Sequence, residues 1–93
     1  MATVRSIERR IFRVEGFNVR ILYDTGENVR SDRSGLPGYP YDRMLKNAAN
    51  VHHWIESRFR HAYPGFDIEV LDARGRRVHG RTKLATVRDS YLD

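Results

Sequence analysis

Six cationic side chains and no acid lie between Arg74 and Arg88, in the run Arg-Gly-Arg-Arg-Val-His-Gly-Arg-Thr-Lys-Leu-Ala-Thr-Val-Arg. Fifteen of the 17 basic residues of the chain are arginine, whose planar fork meets phosphate or carboxylate with two parallel hydrogen bonds. The base composition of the source genome is an equally good origin of that bias. Arg77, His79, Arg81 and Lys83 alternate with Val78, Gly80, Thr82 and Leu84, so a continuous strand puts the first four on one face. Arg74 and Arg76 add charge at the turn before it. A two-stranded ribbon of this kind can enter a major groove, where arginine reads phosphates and base edges. Arg74, Arg76, Arg77, Arg81 and Lys83 are therefore the residues expected to bind a polyanion, with nucleic acid as the first candidate partner and an acidic protein as the second. Arg9, Arg13 and Arg20 extend the surface if the two halves of the sheet are neighbours. Against this, Asp67, Glu69 and Asp72 lie across the expected hairpin and neutralise part of the stripe.

Other chemistry finds less support. No serine sits in a Gly-x-Ser-x-Gly elbow and no Gly-rich phosphate loop precedes a helix, so no reaction is expected. The loop from Ser31 to Gly38 has backbone amides to offer an anion but lacks the lysine of a phosphate cradle. His52 and Glu56 are four apart on a helix, but no third ligand stands at a metal-binding spacing, and neither metal nor cofactor is expected. Cysteine is absent, which excludes disulfides, thiolate zinc sites and cysteine nucleophiles. Phe12, Phe17, Tyr23 and Phe66 fall on faces assigned to the core, so base-stacking recognition of single strands is not expected. The alternative to polyanion binding is a protein–protein module, an accessory or inhibitor protein or a homodimer, anchored on Ile11, Leu22 and Trp54.

The elements that must position these residues follow from periodicity. Ninety-three residues make one domain, and the +5 net charge is its main surface property. The N-terminal residues lack the apolar run of a secretion signal and no apolar segment could span a bilayer, so a cytoplasmic protein with no membrane partner is expected. Residues 7–23 predict a hairpin turning at Glu15-Gly16, with Phe12, Val14, Phe17, Val19, Ile21 and Tyr23 on one face. Residues 24–40 predict a flexible loop rich in turn formers. Met44, Leu45, Ala48, Val51, Ile55, Phe59 and Ala62 trace the stripe of one long helix from Pro40 to Ala62, ended by Tyr63-Pro64-Gly65. Residues 66–72 predict a strand returning through Asp72-Ala73-Arg74-Gly75-Arg76, in a register that sets Val70 opposite Val78 and Glu69 opposite His79. Residues 89–93 are expected to fray. The expected fold is α+β in the order β-β-α-β-β, an antiparallel sheet of four strands with one long helix across it, or five strands if Leu84 to Val87 add another.

Overall fold

The computed structural model describes residues 2–30 and 32–92. Ser31, within the expected flexible loop, and Asp93, at the end of the expected frayed terminus, lie outside them. The chain opens on a helix where a strand was expected. Val4, Ile7, Ile11 and Glu15 recur at three and four residues, and all four are buried on one side of α1 (Val4–Glu15). Thr3 caps its start: the Thr3 hydroxyl accepts from the Ser6 amide at 3.1 Å and the Ser6 hydroxyl from the Thr3 amide at 3.0 Å. Gly16 ends it in the left-handed region at φ +89°, donating its N–H to Phe12 O at 2.9 Å. Glu15-Gly16 is thus a helix terminus and not a hairpin turn. Phe12, assigned to the core by strand alternation, is 43% exposed.

The sheet is correspondingly smaller than the expected four strands. Among the described residues it has two, β1 (Asn18–Tyr23) and β2 (Phe66–Leu71), antiparallel with Asn18 opposite Leu71 and Tyr23 opposite Phe66. Strands expected in separate hairpins pair directly, and Val19, Ile21, Ile68 and Val70 are buried between them and the helices. The fold remains α+β, with three helices, and the 12-residue α1 is as long as any of them.

The second helix, α2, is shorter than its stripe suggested. It begins at Val51, where the Asn50 side chain accepts from the His53 amide at 2.7 Å. It runs as an α turn over Val51–Trp54, a wider π turn over Ile55–Phe59 and a last α turn over Arg60–Ala62. The π turn lets Trp54 and Phe59, five residues apart, share the buried side with their rings 6.3 Å apart. Residues 40–50 are not helical because side chains of the helices hold their backbone. Arg10 donates to Tyr39 O and Tyr41 O at 3.2 Å each, and Arg58 to Arg43 O at 2.6 Å. The Leu45 amide donates to Glu15 Oε1 at 2.9 Å. The long irregular stretch before it also enters the core, through Val29, Leu36 and Tyr39.

The last helix, α3 (Leu84–Asp89), replaces the expected strand extension. Leu84 and Val87, three apart, are its buried residues, a helical spacing that strand alternation would have split between faces. Beyond it, Tyr91 is half-buried with its ring edge-on to Phe12, and its hydroxyl accepts from the Asn18 amide at 2.9 Å.

Among the described residues one acid lies fully inside. Glu15 accepts from Tyr39 Oη at 2.5 Å, Arg58 Nη1 at 2.7 Å and, more loosely, Arg88 Nη2 at 3.4 Å. Arg88 also donates through Nε to Glu15 O at 2.6 Å and through Nη1 to Asn47 Oδ1 at 2.7 Å. This cluster joins α1, the 39–47 segment, α2 and α3. For Arg58, burial opposes the charged form, but the Glu15 hydrogen bond and charge outweigh it and raise its pKa. For Arg88, burial prevails and lowers the pKa, the Glu15 contact being longer.

The buried hydroxyl of Tyr63 has no hydrogen-bond partner among the described residues. Burial pushes this phenol up to about 12, with only the Arg10 charge opposing. Tyr63→Phe is expected to stabilise the protein by about 1 kcal/mol, because it deletes a desolvated donor without breaking a bond. Tyrosine in an unfolded chain titrates at about 10, below the folded value, so the folded state holds the proton longer. The wild type should therefore lose stability as pH rises from 10 towards 12, and Tyr63→Phe should lose less. Thermal melts at pH 8 and pH 10.5 would read both effects, and equal melting of the two proteins at pH 8 would refute the first.

Candidate polyanion interface

The turn after β2 forms as its residues require. Asp72 Oδ1 accepts from the Arg74 amide at 2.9 Å and the Arg76 amide at 3.0 Å, and Gly75 occupies the left-handed region at φ +78°. These backbone bonds, Arg76 foremost and then Arg74, together with the charges of the two arginines, hold the Asp72 carboxyl below the usual carboxylate range. Asp72 therefore serves the backbone of the turn and does not pair with an arginine side chain. The lowered pKa means the turn keeps its acceptor down through the ordinary carboxylate range and loses it only as pH falls through the depressed value. Asp72→Ala is expected to accelerate amide exchange at Arg74 and Arg76, while Asp72→Asn retains an acceptor oxygen and most of the protection. Identical exchange in all three proteins would show that the turn holds without the side chain.

The strand pairing expected beyond the turn starts in the anticipated register and then stops. Leu71 bridges Arg77, and Val78 donates to Val70 O at 2.8 Å, but no further bridge follows. The chain leaves the sheet because α2 needs it. Gly80 O and Thr82 O accept from the amides of His52 at 2.8 Å and Val51 at 2.9 Å, which are among the unpaired donors of that helix start. A β-carbon on Gly80 would lie 3.3 Å from His52 Cβ, so glycine permits this approach. The pairs Glu69–His79 and Asp67–Arg81 accordingly do not form, and Asp67 instead lies 3.6 Å from Arg60.

Arg74, Arg76, Arg77, Arg81 and Lys83 are all exposed on this segment. Among the described residues none of their side chains enters an ion pair. They do not form the single-faced strand stripe expected, since residues 79–82 make a turn closed by Thr82 N–H to His79 O at 3.0 Å. Their backbone is nevertheless tied to β2 at one end and to α2 at the other, where Lys83 bridges Asn50. Arg88, the sixth cation of the run, turns inward to Glu15.

Between β2 and α2, where the fourth strand was expected, a cleft of about 420 Å³ opens. Arg77 lines it together with His52, Glu56 and Arg60, and Arg60 is already paired with Glu56 at 2.7 Å. No three His, Cys, Asp or Glu side chains converge among the described residues as a metal would need.

The apolar anchor expected at Ile11, Leu22 and Trp54 lies within the protein's own core. Ile11 and Trp54 are 0% exposed and Leu22 is 8%. Ile11 faces inward because α1 is helical, which separates it from Arg9 and Arg13. Trp54 meets Phe17 edge-on at 5.1 Å and donates Nε1–H to Tyr39 Oη at 3.2 Å. Among the described residues the large exposed apolar side chains are instead Phe12, Met44 and Leu92. The spacing of Val4, Ile7 and Ile11 ahead of a Glu-Gly pair was the signal that could have revealed both α1 and the inward Glu15.

No described helix is long and apolar enough to cross a membrane. Compared with protein-family models, curated proteins and solved structures, the chain finds no match.

Proposed function

We propose that this protein binds polyanions, nucleic acid first among them, through Arg74, Arg76, Arg77, Arg81 and Lys83. The observation that carries the reading is five exposed cations within ten residues of anchored backbone, with no acid among the described residues engaging their side chains. Asp72 is engaged by the turn amides and Asp67 lies 3.6 Å from Arg60, while Glu69 lines the cleft beside Arg77 without an ion pair among the described residues. An anchored segment holds its charges near one another at little entropic cost on binding, and phosphate contact then gains free energy by counterion release. Because the segment is a turn and not a ribbon, contact with phosphates is favoured over reading of base edges. The role is one of binding, without a reaction.

A labelled random duplex and a matched single strand, each titrated across a range of salt concentrations, test this directly. Binding with a steep negative dependence on salt is expected. Absence of binding to either strand at low salt would overturn the proposal.

A further inference from the structure

A second surface, remote in sequence from the 74–83 segment, is built differently. Along α1, Arg5, Arg9 and Arg13 stand four residues apart, so they form one ridge with neighbours roughly 6 Å apart along the axis. All three are exposed, and none enters an ion pair among the described residues. Like charges at this spacing disfavour a helix; no acid stands in its first turn, and Glu8, one turn on, faces the charges of Arg20 and Arg5. The ridge borders a groove of about 790 Å³, whose apolar side is formed by the exposed ring of Phe12 with Val19 and Leu71. Among the described residues the one acid lining the groove, Glu8, is committed to the fold, its Oε2 accepting from the Ile21 amide at 3.0 Å.

We infer that this groove docks an acidic amphipathic peptide segment of a partner protein. Charge complementarity identifies the occupant: the ridge asks for carboxylates at helical spacing, and the floor asks for large apolar side chains beside them. A nucleic-acid backbone would satisfy the arginines but would leave the apolar floor unfilled. Arg9 and Arg13 would hold the carboxylates, and Phe12 would seat the apolar residue between them and β1. The inference stands apart from polyanion binding at residues 74–83, and either can fail alone.

The probe is a fluorescein-labelled helical peptide with glutamates at i, i+4 and i+8 and leucines at i+3 and i+7, followed by anisotropy. The full chain should bind it, and replacing the leucines by serine should weaken binding at least tenfold. Arg9→Gln with Arg13→Gln, and separately Phe12→Ala, should each cause a similar loss, while Arg77→Gln with Arg81→Gln should leave the affinity unchanged. The arginine pair keeps the test decisive if removing the Phe12 ring from Tyr91 loosens α1. No binding of the probe, equal binding of the serine peptide, or indifference to the arginine pair would each overturn the inference. So would displacement of the probe by a DNA duplex whose own binding requires Arg9 and Arg13.

Discussion

Glu15→Ala is expected to destabilise the protein by about 3–5 kcal/mol, the typical cost of removing one partner from a buried ion pair. That is a large share of the ~5–15 kcal/mol by which domains are stable. The carboxylate is 0% exposed and gathers four donors from three parts of the chain: Tyr39 and Leu45 of the 39–47 segment, Arg58 and Arg88. Removing it leaves two guanidinium groups with side chains only 16% and 10% exposed facing no counter-charge, and it frees the 39–47 segment that Glu15 holds. Glu15→Gln should be milder, since it retains acceptor capacity for the Leu45 amide while losing the charge. Trp54, the single tryptophan, is fully buried within this cluster's shell and reports unfolding by fluorescence in urea. Glu15→Ala and Arg58→Ala should be strongly non-additive, because each removes the same ion pair. A loss below about 1 kcal/mol for Glu15→Ala would show that the buried cluster contributes no more than an exposed ion pair.

Arg77→Gln combined with Arg81→Gln is expected to weaken duplex binding on the order of tenfold at low salt and to flatten its salt dependence. Each phosphate interaction removed lowers the slope of log affinity against log salt by about 0.9, so two should lower it by about 1.8. Both side chains are exposed and make no ion pair among the described residues, so the fold should be unaffected and Trp54 fluorescence unchanged. The two residues sample different parts of the segment, since Arg77 faces the cleft beside α2 while Arg81 stands on the following turn. An unchanged affinity with an unchanged slope would remove this face from consideration. A fall in affinity at constant slope would point to altered shape or packing and not to missing phosphate interactions.

Residues 4–14 carry two overlapping periods: Phe12 and Val14 alternate like a strand, while Val4, Ile7 and Ile11 repeat like a helix. The helix prevails because it buries three aliphatics and Glu15 on one side and is capped at both ends by Thr3 and Gly16. In 40–50, apolar residues at helical spacing do not make a helix, because Asn50 starts one later and side chains from α1 and α2 bind the intervening backbone. After Val78, the strand pattern is locally sound but competes with the unpaired amides at the start of α2, which capture Gly80 and Thr82. None of these competitors is visible within a short window.

By itself the sequence determined the α+β class, a strand ending at Tyr23 and another starting at Phe66, the Asp72–Gly75 turn and the absence of cysteine chemistry. It also determined the run of cations from Arg74 to Lys83. Those features depend on local alternation, turn residues and composition, which a few neighbouring positions express in full. Only the tertiary structure decided that β1 pairs with β2, that Ile11 and Trp54 are core, that Arg88 leaves the cationic run for Glu15, and that Arg5, Arg9 and Arg13 share a groove with Phe12. Each of those depends on which of several donors, acceptors and apolar faces meet across the fold. Such contacts span up to 73 positions of chain, as between Glu15 and Arg88, and their partners are chosen by the whole packing and not by any one segment.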